Sequence, residues 1–127
     1  MDSMFYGCNS LKNVDLSNLN TVKVIDMHSM FQNCSSLINL DLSNLNTENV
    51  TNIHSMFAGC SSLTHLDLSN FNLKQKVKDF RDVASLLMGC NSLNINGIVT
   101  NEPNILNEIV LGQLFKTATN PTNCGIF

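Results

Sequence analysis

A short pattern recurs along most of the chain at a nearly constant interval. Ser-Met-Phe occurs at 3–5, 29–31 and 55–57, and cysteines fall at 8, 34, 60 and 90. The first two cysteine intervals are 26 residues and the third is 30. A fixed period of this size indicates that each copy is one structural unit that stacks on the next. We therefore define repeats 1, 2 and 3 as beginning at Cys8, Cys34 and Cys60, and a decayed repeat 4 as beginning at Cys90.

The first part of each repeat has the pattern of a strand. In repeat 2, Leu40, Asp41, Leu42 and Ser43 alternate apolar and polar side chains. Alternation with a period of two predicts a half-buried strand. We expect parallel strands near 13–17, 39–43 and 65–69. A period of 26 lies within the 20–29 residues of leucine-rich repeats. The columns expected to face the core are Leu11/Leu37/Leu63/Leu93, Val14/Leu40/Leu66, Leu16/Leu42/Leu68 and Leu19/Leu45/Phe71.

The second part of each repeat has a helical spacing. Val50, Ile53, Met56 and Phe57 lie at i, i+3, i+6 and i+7, which is one stripe of a helix. Each such segment is followed by glycine or asparagine, the residues that most readily adopt the left-handed conformation at a helix end. The four extra residues of repeat 3 predict one added turn at the start of its helix. Helices are expected to end near Tyr6, Gln32, Ala58 and Met88, before Gly7, Asn33, Gly59 and Gly89.

Repeat 4 departs from the pattern after its start. Asn96 falls where Leu66 stands in repeat 3, so regular stacking is expected to end there, because a buried amide needs hydrogen-bond partners. Pro103 to Lys116 predicts a separate amphipathic helix that caps the stack. We predict an α/β leucine-rich-repeat solenoid of about three and a half 26-residue rungs, each a strand plus a short helix. The solenoid spans residues 1–98, and a cap of one helix and an irregular tail spans 99–127.

The repeat also carries a family resemblance. Met-Phe-x-x-Cys-x-Ser-Leu-x-x-Leu-Asp-Leu-Ser, over residues 3–98, resembles the repeat of BspA-like leucine-rich-repeat surface proteins, in the variety found in mycoplasma lipoproteins. The resemblance implies a cell-surface or extracellular, adhesin-like binding protein. The chain has no signal peptide and starts within a rung, so we expect a fragment or a shortened copy. The uncapped N-terminal end is expected to self-associate.

Composition and motifs exclude several functions. Seven Lys+Arg against ten Asp+Glu give a net charge of −3, which argues against a nucleic-acid partner. No apolar run approaches the ~20 residues of a transmembrane segment. No phosphate loop, serine elbow or metal-binding helix motif occurs. We therefore expect neither an enzyme nor a cofactor. Polarity comes instead from 20 asparagines and 13 serines.

The cysteines and histidines are interpreted mainly as structural residues. A zinc site needs paired ligands such as C-x2–4-C, which are absent, so no metal is expected. Cys34 and Cys60 are expected to be buried and reduced, because free cysteine packs as a small apolar residue. Disulfides and a metal are the alternatives, and Cys124 lies outside the column. His28 and His54 share one repeat position, which favours a structural or surface role over catalysis.

An acidic column is the main candidate for binding. Asp15, Asp41 and Asp67 would lie about 4.8 Å apart on stacked strands. A solvated face with local hydrogen bonds, an acidic binding face and a calcium site are all compatible with this spacing. The predicted binding residues, for a protein or glycan ligand, are Asn13, Asp15, Asn39, Asp41, His65 and Asp67.

A basic segment in repeat 3 is a secondary candidate. It holds four of the seven basic residues of the chain, namely Lys74, Lys76, Lys78 and Arg81. Its two interpretations are a solvated helix face and a small contact site for anionic glycan or lipid headgroups. For the whole chain, the alternatives to a binding module are a purely structural unit of a longer array and an intracellular protein-interaction scaffold.

Overall fold

The computed structural model of the chain describes residues 1–76 and 80–102, without six side chains of repeats 3 and 4. Strand β1 is Leu66–Asp67 and strand β2 is Ile98–Val99. Helix α1 is Leu73–Lys76, helix α2 is Phe80–Leu87, and a 3₁₀ turn spans Ile95–Gly97. The predicted cap helix, the tail, Cys124 and Lys78 lie outside the described residues. The side chains left out are those of Lys74, Gln75, Phe80, Arg81, Val83 and Ile95.

Backbone hydrogen bonds join successive repeats, most of them at one regular offset. Phe5 N–H donates to Met30 O and Phe31 N–H to Met56 O, each at 2.9 Å. Each of these pairs is 25 residues apart. Asp26 and Asn52 form an isolated parallel bridge, and β1 pairs with β2 in parallel. Equivalent segments of consecutive repeats therefore lie side by side and run in the same direction.

The predicted strands are only partly present. In segment 65–69, β1 is a strand, but segments 13–17 and 39–43 contain turns and irregular backbone. Repeats 1 and 2 are joined close to these segments by the N–H of Ile38, which donates to Lys12 O at 3.1 Å. The alternation of apolar and polar residues nevertheless separates buried side chains from exposed ones. Leu42 is buried, Leu40 is half-buried and Asp41 is exposed.

The helices predicted to end near Tyr6, Gln32 and Ala58 are absent, because the chain there forms successive turns. Met30 N–H bonds to Met27 O and Gln32 N–H to Ser29 O, which are i→i−3 contacts. Phe31 N–H points instead to the next repeat, and Ser29 has a φ of 57°. A left-handed residue interrupts an α-helix. Turns that are closed by i→i−3 bonds also place apolar residues at i and i+3. They therefore reproduce the spacing that predicted helices.

Repeat 3 contains the helix that was expected there. The predicted end near Met88 is confirmed, since α2 ends at Leu87 and Gly89 follows with a φ of 79°. Phe57 N–H donates to Leu86 O at 3.2 Å, an offset of 29. This offset is four residues longer than the usual 25. The inserted residues thus lengthen one repeat while its end returns to the same register.

The left-handed positions before the cysteines are also confirmed. Gly7, Asn33, Gly59 and Gly89 have φ values of 71°, 63°, 77° and 79°. Only the last of these follows an α-helix within the described residues, and the others close turns. The same backbone conformation therefore ends two different kinds of segment.

Repeat 4 continues the stack further than expected. Asn96 does not occupy the position of Leu66, because the 3₁₀ turn takes up two residues and Ile98 pairs with Leu66 instead. Ile98 is buried and Val99 is exposed, like Leu66 and Asp67. Gly97 makes this path possible, since a Cβ at that position would collide with the carbonyl oxygen of Thr64. Pairing between repeats 3 and 4 therefore extends to Val99, a few residues beyond Asn96.

One continuous apolar core runs through the repeats. The rings of Phe5 and Phe31 stack with centroids 5.4 Å apart, and those of Phe31 and Phe57 with centroids 6.0 Å apart. Phe31 and Phe57 are fully buried. Stacked aromatic rings contribute beyond their buried area, so this column links successive repeats. No helix within the described ranges is long and apolar enough to cross a membrane.

Candidate binding surface

The three aspartates of the acidic column have the same local geometry. Oδ1 of Asp15, Asp41 and Asp67 accepts the backbone N–H two residues later, at 2.9 Å in each case. The donors are Ser17, Ser43 and Ser69. Hydrogen bonds from the serine side chain and backbone lower the pKa of each aspartate carboxyl below its ordinary value. The column is therefore ionised at neutral pH.

Two of these aspartates share an open groove. Asp41 and Asp67 line it together with Asn39 and His65, and its volume is about 380 Å³. The four side chains are exposed. The negative charge of Asp41 raises the pKa of Asp67 and His65 lowers it, both as minor effects, so the groups lie within electrostatic reach. With Asn70 and the two serines that also line it, the groove combines two carboxylates, two amides, two hydroxyls and one imidazole.

The other two predicted binding residues lie apart from this groove. Asn13 and Asp15 are exposed at the equivalent positions of repeat 1, but they do not line the groove. The structure thus brings together four of the six predicted residues. The apolar neighbours Leu40 and Leu42 also line the groove, so its wall is not purely polar.

The asparagines beside the groove hold the repeats together, which sequence reasoning missed. Asn44 Nδ2 donates to Leu16 O at 2.7 Å and to Leu19 O at 3.1 Å. Asn70 Nδ2 makes the same pair of bonds to repeat 2, at 2.8 and 2.9 Å. The signal was available, because Asn follows Leu-Ser at 18, 44 and 70. A side chain that repeats at a turn and bonds the adjacent unit has a structural role.

Other amides and hydroxyls are used in similar ways. Asn20, Asn46, Asn52 and Asn94 each accept a backbone N–H two residues later, as the aspartates do. Thr47 is buried, and its hydroxyl donates to Asn70 O at 3.2 Å. These side chains satisfy backbone groups that regular sheet or helix would otherwise satisfy. The high asparagine content therefore reflects a fold made largely of turns.

The cysteines form a buried ladder. The thiols of Cys34, Cys60 and Cys90 donate to the carbonyl oxygens of Phe5, Phe31 and Phe57 at 3.1 to 3.2 Å. All three are buried and unoxidised, whereas Cys8 is exposed. Burial raises the pKa of the Cys60 thiol to about 12. The expectation that Cys34 and Cys60 are buried is confirmed.

The histidines that share a repeat position are held by their neighbours. His28 Nδ1 lies 2.8 Å from Asp26 Oδ1, which also accepts the backbone N–H of His28. This N–H bond is the largest cause of the lowered pKa of Asp26. At His54 the equivalent backbone bond goes to Asn52. In the part of the chain that the structure describes, no group of three His, Cys, Asp or Glu residues is placed to hold a metal ion.

The basic segment is only partly described. Lys74 and Lys76 lie on α1 and Arg81 lies on α2. Of these side chains, that of Lys76 is described, and it lines a second, smaller pocket together with His54. The structure therefore places one basic side chain beside the neighbouring repeat.

Comparison with known sequences gives one match. The profile of a family described as "Mycoplasma protein of unknown function, DUF285" matches residues 1–123. No curated protein and no solved structure shows a significant match. The matched span includes all four repeats and most of the residues that follow them. The chain therefore belongs to the mycoplasma protein family DUF285.

Proposed function

We propose that this protein is a short leucine-rich-repeat solenoid of the BspA-like type that acts as a non-enzymatic binding module. The motif resemblance over residues 3–98 supports this class, as do the parallel backbone contacts between repeats at an offset of 25. The same resemblance supports a location at the cell surface or outside the cell. Stacked repeats offer an extended surface, which suits a protein or glycan better than a small substrate.

The binding surface in this proposal is the exposed face of the acidic column. One observation carries it: exposed side chains of two consecutive repeats, Asp41 and Asp67 among them, line a single groove. The asparagines beside that groove are used in bonds between repeats, whereas the carboxylates keep unused acceptor capacity. An ionised carboxylate has about four acceptor sites, and the serine contacts use only some of them.

The chemistry of the groove suggests which groups a ligand presents. Carboxylates and amides share hydrogen bonds with hydroxyl-rich or cationic groups. Leu40 and Leu42 add apolar contact along the groove wall. A sugar ring or a basic, extended peptide offers both kinds of contact. Asn13 and Asp15 would extend the same surface onto repeat 1.

The test begins with a glycan and matrix-protein array probed with the whole chain. For any ligand found, Asp15, Asp41 and Asp67 are replaced together by Asn. We expect weaker binding with the fold retained, because four asparagines of this chain already form the same turn. The charge-matched control replaces Asp2 by Asn and both Glu48 and Glu102 by Gln, none of which lines the groove. That control should leave affinity unchanged.

Two results would contradict the proposed surface. If affinity is unmoved by the triple change but falls when Lys74, Lys76 and Lys78 are neutralised, the ligand binds elsewhere. If the folded chain binds nothing on the array and instead self-associates, a purely structural repeat unit or an intracellular scaffold becomes the better description.

A further inference from the structure

We propose that a second pocket, formed where repeat 2 meets the helices of repeat 3, binds an oxyanion of the phosphate or sulfate class. Its walls come from segment 51–54, which contains the bridge residue Asn52, and from α1 and α2. Its volume is about 260 Å³. Lys76, the last residue of α1, and His54 both face it, and they belong to different repeats.

Lys76 is the first reason for this assignment. Its side chain is half-buried, and the ion pairs described for residues 1–76 and 80–102 do not include it. Burial lowers the pKa of its ammonium group. A half-buried ammonium group is partly removed from water, so an anion that enters the pocket gains from pairing with it.

The remaining donors of the pocket point to the same ligand class. The hydroxyl of Thr51 donates to Ile25 O at 3.3 Å and that of Ser85 to Asp82 O at 2.8 Å. These two hydroxyl protons are therefore already used. Asn52 also lines the pocket, but its side chain accepts the backbone N–H of His54 and bonds Asp26. We therefore assign the Lys76 ammonium and the exposed imidazole of His54 as the donors for a ligand. Two nitrogen donors on opposite walls suit a group with several oxygen acceptors.

The size and charge of the pocket limit the ligand. Pockets for drug-sized molecules measure about 300–1,000 Å³, so this smaller one fits a single ionic group. The carboxylate of Asp82 also lines it and is engaged in contacts of its own. Its negative charge weakens the attraction for any anion, so the expected affinity is modest. The ligand is thus a free anion or the terminal oxyanion of a larger molecule.

The experiment titrates the ¹⁵N-labelled chain with inorganic phosphate and, separately, with sulfate. We expect saturable amide shifts at 51–54 and at Ser85. Lys76→Gln should weaken binding by about tenfold or more, because a hydrogen bond to a charged group contributes roughly 1.5–3 kcal/mol. The control is Lys23→Gln, which removes an equally charged but exposed lysine of repeat 1 that does not line the pocket. It should change affinity by less than about twofold, because exposed charges contribute little.

Further measurements identify the source of the anion and control for misfolding of the Lys76→Gln variant. Vesicles that contain phosphatidylglycerol test a lipid phosphate, and a sulfated polysaccharide tests a glycan sulfate. Lys76→Arg keeps the charge and should keep binding. If Lys76→Gln unfolds the chain, the position of the shifts in the unmodified chain decides the question. Shifts spread over all lysines, an equal loss with Lys23→Gln, or no saturable shift with either anion would overturn the proposal.

Discussion

In this protein, single side chains satisfy many backbone hydrogen-bonding groups that helices and sheets satisfy in other proteins. Asn44 and Asn70 each bond two carbonyl oxygens of the preceding repeat. Asp15 and its equivalents bond a backbone N–H within their own turn. A typical hydrogen bond contributes about 0.5–1.5 kcal/mol net, so many repeated side-chain bonds add substantially to stability. The identity of these residues therefore matters even where they are exposed.

The cysteine ladder gives a prediction at this scale. Cys60→Ser should destabilise the chain by about 1–3 kcal/mol, because a serine oxygen reaches less far than sulfur and is left poorly paired in a buried site. Urea unfolding measures this, with Cys8→Ser as the exposed control.

In the native protein, a thiol reagent at pH 7 should modify Cys8 quickly and Cys60 only on unfolding, since the Cys60 pKa is raised to about 12. Fast native labelling of Cys60 would contradict the ladder.

The acidic column gives a second prediction, which concerns pH. The lowered pKa values of Asp15, Asp41 and Asp67 mean that their contribution to stability is present above the unfolded value of about 3.9. That contribution is lost as pH falls through the lower folded values. The Tm of the unmodified chain should therefore fall below pH 4 more steeply than that of the triple Asp→Asn variant. The control with changes at Asp2, Glu48 and Glu102 should keep the steep fall.

At the scale of elements, the sequence predicted the period and the side-chain sorting better than the type of element. The 26-residue spacing, the buried leucine columns and the left-handed residues before each cysteine were all readable. The helices of repeats 1 and 2 were not, because turns with an i→i−3 bond produce nearly the same apolar spacing. Ser29 and Ser55 adopt a φ of 57° that nothing in their residue type announces.

The acidic groove could be predicted from the sequence, but the pocket at Lys76 could not. Alternation along the repeat identified Asp41 and Asp67 as exposed, and stacking brought them to one groove. The pocket at Lys76 was not predictable, because it depends on how α1 and α2 lie against segment 51–54. The register shift at Ile98 was hidden too, since it follows from the close approach of Gly97 to Thr64.

The left-handed column gives a prediction about these turns. Gly59→Ala should destabilise the chain by about 1–3 kcal/mol, because alanine at a φ of 77° is strained. The added methyl group would also collide with the side chain of Asn33. Asn33→Gly removes that side chain at a position whose φ of 63° suits glycine, so the double variant should recover part of the loss. A double variant that unfolds as readily as Gly59→Ala would show that backbone strain alone is responsible.

At the scale of the whole molecule, one core connects the described repeats. The phenylalanine rings stack from one repeat to the next, and the buried leucine and methionine side chains surround them. Each repeat contacts mainly its neighbours, so stability is a sum of repeat and interface contributions. A substitution in a repeat in the middle of the stack therefore weakens the interfaces with both of its neighbours.

The position of a phenylalanine in the stack should therefore decide the cost of removing it. Phe31→Ala should cost about 3–5 kcal/mol, because the ring is fully buried between two others. That is a large share of the 5–15 kcal/mol typical of a domain. Phe5→Ala should cost clearly less, because Phe5 is only half-buried. Urea unfolding followed by circular dichroism measures both, and equal losses would argue against a stack in which each ring depends on its neighbours.

The side-chain bonds between repeats also give the stack a chemical direction. The amides of Asn44 and Asn70 and the thiols of Cys34, Cys60 and Cys90 all donate toward the earlier repeat. A cut between two repeats would expose these amide and thiol donors on the later repeat. The earlier repeat would expose the carbonyl oxygens that they bond, together with its own backbone N–H and threonine hydroxyl donors. Two such surfaces of opposite kind fit each other, whereas two of the same kind do not. An added repeat can therefore match its neighbours in only one orientation along the stack.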